Sequence, residues 1–178
     1  MPYAVTLRLD EDAAARVQRI WRALAEQAGD DGALRLGYGP HLTLALLPDG
    51  IAAATVAEAA FALAHAWGAL PITLAGLGVF PGDPPVVWAA PVVTEALLAR
   101  HAALHAALAP FPGHAHYQPG AWVPHVTLSK EGQASAARVI EVATAAWEGP
   151  IIGQLDRLEL VRFRPVEILR SQALRAPG

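Results

Sequence analysis

The chain has 178 residues, 54% of them hydrophobic and 16% charged, with a formal net charge of −3 and no cysteine. That length and apolar content suit one folded domain with a sizeable core and exclude a disordered chain. Without cysteine there can be no disulfide, thiolate metal site or cysteine nucleophile, and the mild acidity leaves no electrostatic footprint for long duplex nucleic acid.

Tyr3–Leu9 alternates and predicts a strand, not the basic and then apolar run of an export signal, so a cytoplasmic location is expected. Asp10 caps a predicted helix to about Gln27, with Val17, Ile20, Trp21 and Leu24 at helical spacing, and the run Gly29–Gly32 breaks it. A strand around His41–Leu44 follows, introduced by Leu34–Tyr38 and stopped by Pro48-Asp49-Gly50; a helix over Ile51–Trp67 comes next. From Ala59 to Phe80 there is no Asp, Glu, Lys or Arg, which is length enough to span a bilayer. His65, Gly68, Pro71, Gly76 and Gly78 interrupt that stretch, so it reads as a helix end and a buried strand, with no membrane segment expected. Strands are predicted at Ile72–Val79 and Val86–Ala90 around the turn Pro81–Pro85, then a helix from Thr94 to about Leu108 and a loop over Gly113–Gly120. A helix near Ala134–Trp147 and strands over Gln154–Phe163 and Val166–Leu174 complete the chain.

One phrase occurs twice. Pro40-His41-Leu42-Thr43-Leu44 and Pro124-His125-Val126-Thr127-Leu128 both read Pro-His-apolar-Thr-Leu, with the histidines 84 positions apart (125 − 41). Strand side chains alternate between faces, so each phrase sets an imidazole and a hydroxyl on one surface with apolar anchors behind. Each phrase is followed by a helix ending in Trp67 or Trp147, a Gly/Pro break, a strand ending in Phe80 or Phe163, a turn and a last strand. This order predicts an internal duplication, with pseudo-repeats near 34–92 and 118–176 inside one domain over 1–178, and it brings His41 opposite His125.

Two such motifs in a duplicated chain of this length resemble the two-histidine phosphoesterase superfamily, and within it the bacterial 2′-5′ RNA ligase and cyclic phosphodiesterase branch. Trp122-Val123-Pro124 and the Gly-Val-Phe-Pro stretch at 78–81 extend the likeness. The resemblance implies an α+β, bilobal fold in which two antiparallel sheets flanked by helices enclose a central cleft between the His-x-Thr strands. It implies cleavage of 2′,3′-cyclic phosphates or related 2′-5′ phosphodiesters of nucleotides or RNA ends, with no metal or other cofactor, reversible as a 2′-5′ ligase. The expected partner is a small nucleotide or RNA end, not a membrane or long duplex, and the expected state is a monomer. Where such proteins commonly carry Arg, this chain has Lys130, which keeps the charge and loses the bidentate fork.

Two histidines flanking one phosphate can take a proton from the attacking water and give one to the departing ribose oxygen, since free imidazole titrates near pH 6.5. By family analogy alone, His41 is the acid and His125 the base. Thr43 and Thr127 are placed to donate to the non-bridging oxygens. For substrate binding, Tyr38, Phe80 and Trp122, with Phe163, offer aromatic faces to a base, and Arg35 and Lys130 offer charge to phosphate. Two alternatives stay open: a non-catalytic nucleotide-binding module, and a metal hydrolase built on His101 and His105, at i and i+4, with His114 and His116.

Overall fold

The structure, a computed structural model, describes residues 2–111, 113–130, 132, 134–163 and 165–176. Strand β1 (Tyr3–Leu9) leads into Asp10, whose carboxylate accepts a hydrogen bond from the Ala13 N–H at 2.8 Å and starts helix α1 (Glu11–Ala28). Ala13, Val17, Ile20, Trp21 and Leu24 form the buried face of α1. Gly29 ends it at φ 65°, a left-handed conformation that favours glycine. A single turn, α2 (Gly32–Arg35), stands where the sequence suggests the run-in to a strand, and β2 (His41–Leu47) follows. Next come α3 (Ala53–Ala64), β3 (Leu70–Phe80) and β4 (Val86–Pro91). Helix α4 (Glu95–Ala107) is capped by the Thr94 hydroxyl and is followed by a 3₁₀ turn, η1 (Ala115–Tyr117), within the predicted loop. The chain closes with β5 (Val126–Ser129), α5 (Ala136–Ala145) capped by Ser135, β6 (Ile151–Arg162) and β7 (Glu167–Ala173). Among the described residues no helix is long and apolar enough to cross a membrane.

The fold is mixed α and β, with an antiparallel sheet flanked by helices. Where two sheets are expected, the described residues form one of seven strands, in the order β2-β1-β6-β3-β4-β5 with β7 added to β6. The reason is the length of β6: Ile151–Leu155 pairs with β3, while the stretch from Leu155 to Arg162 pairs with β1. The order reads the same from either end when β1, β2 and β3 are exchanged for β4, β5 and β6. That exchange sets β4 against β1, whereas the order of elements after each sequence phrase sets it against β7.

Register carries the same pattern. Between β1 and β2 the pairing skips Leu44, running from Thr6↔Thr43 to Val5↔Ala45. Between β4 and β5 it skips Leu128, running from Trp88↔Thr127 to Val87↔Ser129. Such a bulge places two successive residues on one side. Leu44 and Ala45, and likewise Leu128 and Ser129, are all buried. Leu46 and Lys130 therefore return to the face that carries His41, Thr43, His125 and Thr127. On the other face Leu42, Leu44, Val126 and Leu128 join one core with Val17 of α1, Phe61 of α3, Leu97 of α4 and Val142 of α5. Area taken from water at about 25 cal/mol per Å² makes this core the main source of stability.

Candidate active site

The face of the sheet that carries the two His-Thr pairs borders a cavity of about 560 Å³, whose lining includes His41, Thr43, His125, Thr127 and Lys130. The two imidazoles are held alike. His41 Nδ1 lies 2.9 Å from the Gly39 carbonyl oxygen, and His125 Nδ1 lies 2.8 Å from that of Val123, each two residues back across a proline. A carbonyl only accepts, so Nδ1 carries the hydrogen in both rings and Nε2 keeps the lone pair of the neutral form. The threonines are pinned as well. The Trp122 indole N–H donates to the Thr43 carbonyl at 3.1 Å, and the Trp21 indole N–H donates to the Thr127 carbonyl at 3.1 Å.

Burial dominates the electrostatics. It brings His41 down to about 4, with the charges of Arg8 and His125 acting in the same sense and the Gly39 bond and Glu159 opposing. Burial also lowers His125, with the Lys130 charge adding to it and the Val123 bond opposing. Before an anion arrives, both rings therefore favour the neutral form at pH 7. Lys130 is the one Lys or Arg among the described lining residues, and no Asp or Glu accompanies it there.

The chain matches the family model for the 2′-5′ RNA ligase superfamily over residues 7–167. The chain belongs to the 2′-5′ RNA ligase superfamily. Solved structures agree in fold. E. coli LigT complexed with 3′-AMP is 20% identical, covers 98% of this chain and 99% of its own, and superposes with a TM-score of 0.62. TT0787 of Thermus thermophilus is 20% identical over the whole of both chains, with a TM-score of 0.62. Usb1 of Kluyveromyces marxianus, at 11% identity over 97% of this chain and 98% of its own, gives 0.51. A search of curated proteins gave no match.

Within this member of the superfamily, the residues singled out from sequence divide clearly. Phe80 and Trp122 line the cavity; Phe80 meets His125 edge-on at 5.0 Å, and Trp122 has His101 stacked on it at 3.9 Å. Tyr38 also lines it, 4.7 Å from the His41 ring, but its hydroxyl is committed elsewhere, donating to Glu159 at 2.6 Å and meeting the Thr6 hydroxyl at 2.7 Å. Arg35 is a correction: it is exposed, lies outside the cavity lining and pairs with Asp31 at 2.9 Å, as i,i+4 charges on a short helix do. The His101/His105 pair, on which the metal-hydrolase alternative rests, is also engaged elsewhere. Each Nε2 is bonded to a backbone carbonyl, of Tyr117 at 2.8 Å and of Leu44 at 3.0 Å, so these imidazoles brace η1 and β2. Among the described residues no group of three or more His, Cys, Asp or Glu is arranged to hold a metal ion.

Sequence reasoning missed four contributors. His116 and Tyr117 reach the cavity from η1, and a His-Tyr pair in a loop bounded by Gly113 and Gly120 was the available signal. Trp21 reads as a core residue and is one, yet its N–H anchors Thr127. Glu159 interrupts the apolar run Leu158-Glu159-Leu160-Val161 and is only 3% exposed, the pattern of a charge with a buried partner.

Proposed function

We propose that the chain hydrolyses 2′,3′-cyclic phosphate, or a related 2′-5′ phosphodiester, on nucleotides or RNA ends by acid–base catalysis between His41 and His125. The observation that carries this is the matched pair of imidazoles on one cavity, each with Nδ1 tied to a carbonyl and Nε2 left to exchange a proton. In the forward step water oxygen attacks phosphorus while one neutral Nε2 takes its proton. The phosphorus–ribose oxygen bond breaks, and the other imidazole, protonated, gives its proton to the departing oxygen. Each transfer is typically worth about 10²–10⁴-fold. Thr43 and Thr127 donate to the non-bridging oxygens, where the negative charge rests. The negative phosphate also offsets the burial that keeps both rings neutral, so one of them takes up a proton as substrate binds.

The cavity volume suits a mononucleotide. Lys130, the single Lys or Arg among the described lining residues, favours a substrate with few phosphates. Crystal structures of E. coli LigT with 3′-AMP, ATP and NADP+ are in keeping with a nucleotide in this cavity. Assay of a panel of nucleoside 2′,3′-cyclic phosphates, with chelator present, tests it. Turnover by the wild type and a loss of about 10² or more in folded His41→Ala and His125→Ala are expected. Undiminished activity in either variant, or tight nucleotide binding with no turnover of any member, would sink it.

A further inference from the structure

The two imidazoles share a backbone setting but not what lies beneath them. Cross-strand pairing runs Thr43↔Thr6↔Glu159↔Ser171 on the His41 side. On the His125 side the same row runs Thr127↔Trp88↔Gly78. Trp88 thus stands where Thr6 stands, and Gly78 where Glu159 stands. The replacement is complete in space: a Cβ on Gly78 would lie 2.2 Å from the Trp88 ring, so the indole fills the volume that a side chain there would need.

Glu159 is 3% exposed and has a full set of donors. Its Oε2 accepts from the Tyr38 hydroxyl at 2.6 Å and from Arg8 Nη1 at 3.3 Å, and its Oε1 accepts from the Ser171 hydroxyl at 3.0 Å. Arg8 in turn donates through Nε to the Pro40 carbonyl at 3.3 Å and lies 4.6 Å over the Tyr38 ring. Its guanidinium also rests against Gly39, where a Cβ would stand 2.1 Å from Nη2. Tyr38, Gly39 and Pro40 are thus gripped from one buried carboxylate, and the Gly39 carbonyl is the group that holds His41 Nδ1. Glu159 and Arg8 do not line the cavity.

We propose that Glu159 is a positioning residue for His41: through Tyr38 and Arg8 it fixes the segment whose Gly39 carbonyl orients the ring, a support that Gly78 cannot give His125. The proposal rests on the acid–base reading of the two histidines and adds to it a device that makes them inequivalent. The charged and titratable groups facing His41 are Arg8, Glu159, Tyr38 and His125. Those facing His125 are Lys130 and His41, with the rings of Phe80 and Trp88 packed at 5.0 and 6.0 Å.

The test is ¹⁵N NMR of the imidazoles at pH 7, which reports which ring nitrogen carries the hydrogen, alongside steady-state kinetics on a nucleoside 2′,3′-cyclic phosphate. In the wild type both His41 and His125 are expected as the Nδ1–H form. In Glu159→Gln, His41 is expected to become a mixture of tautomers while His125 is unchanged. kcat should fall about 10- to 100-fold, the range set by a misplacement of up to 1 Å, with KM within about threefold. Should loss of the carboxylate beside Arg8 prevent folding, Glu159→Gln/Arg8→Gln leaves no buried unpaired charge and carries the same readout. A folded variant in which His41 stays wholly Nδ1–H, or in which both rings change alike, overturns the proposal. Because the tautomer needs no substrate, a wild type inactive on every cyclic phosphate would defeat the phosphodiesterase reading and not this one.

Discussion

The His41 and His125 sides of the cavity are built by one backbone recipe and finished with different chemistry. Both have the proline, the carbonyl two residues back, the bulge after the threonine and an indole clamping the threonine carbonyl. Beneath His41 lies a polar row anchored by Glu159; beside His125 lie Phe80 and Trp88, themselves stacked at 5.0 Å over Gly78. Backbone geometry therefore delivers two interchangeable imidazoles, and buried side chains decide how each is supported. In a reaction that needs one proton donor and one acceptor, that division is useful.

The comparison can be broken first at the bulges. Leu44 and Leu128 are fully buried counterparts, 0% and 1% exposed. Leu44→Ala and Leu128→Ala should each lose about 2–5 kcal/mol in denaturant unfolding. A clearly unequal pair of losses would show that the two bulges are not equivalent supports. Gly78→Ala probes the apolar side alone. Its Cβ would meet Trp88 at 2.2 Å, and Trp88 packs against the His125 side. The expected cost is about 1–3 kcal/mol, with the His125 resonances moved and those of His41 left in place. Equal perturbation of both rings would contradict the separation.

Acid sharpens the contrast. Burial first of all brings both His41 and His101 down to about 4, whereas imidazoles of the unfolded chain titrate near 6.5. Between those values the unfolded state binds the extra protons, so their contribution to stability is whole above about pH 6.5 and is lost as pH falls towards 4. His101 is 3% exposed and stacks behind Trp122. In His101→Gln the loss of stability between pH 7 and pH 5 should be smaller than in the wild type; an unchanged loss would remove His101 from the account. The smallest effect belongs to Arg35. Its exposed pair with Asp31 should be worth about 0.5 kcal/mol or less, and Arg35→Ala should leave cyclic phosphate hydrolysis within twofold. A larger drop in activity would return Arg35 to the site.

Much of the fold was legible because its signals are local. Asp10 and Thr94 announce their helices, and alternation in the His-Thr phrases sets Leu42 and Leu44 inward and His41 and Thr43 outward. What was not legible depends on pairing between distant segments. The single sheet follows from β6 reaching both β1 and β3, which no local pattern encodes. The hydroxyl of Tyr38 meets its partner 121 residues away, so the ring reads as an open aromatic face until Glu159 is beside it. Arg35 near the first motif suggested a phosphate contact, but α2 turns it towards Asp31. His101 and His105 have metal-ligand spacing, and only the approach of Tyr117 and Leu44 shows where their nitrogens are used.

The palindromic strand order has a further consequence. Strand β3 follows β1 and β2 along the chain but lies beyond β6, next to β4, while β6 lies next to β1. Each half has lent its third strand to the other, as two subunits do when they swap an element, and only the link from β3 to β4 makes them one molecule. A lone copy of the β-α-β-α-β unit could build this sheet only as a two-fold dimer, and symmetry would then force the same residue under both histidines. In one polypeptide that constraint is absent, and glutamate at 159 with glycine at 78 is a combination that a symmetric pair could never hold.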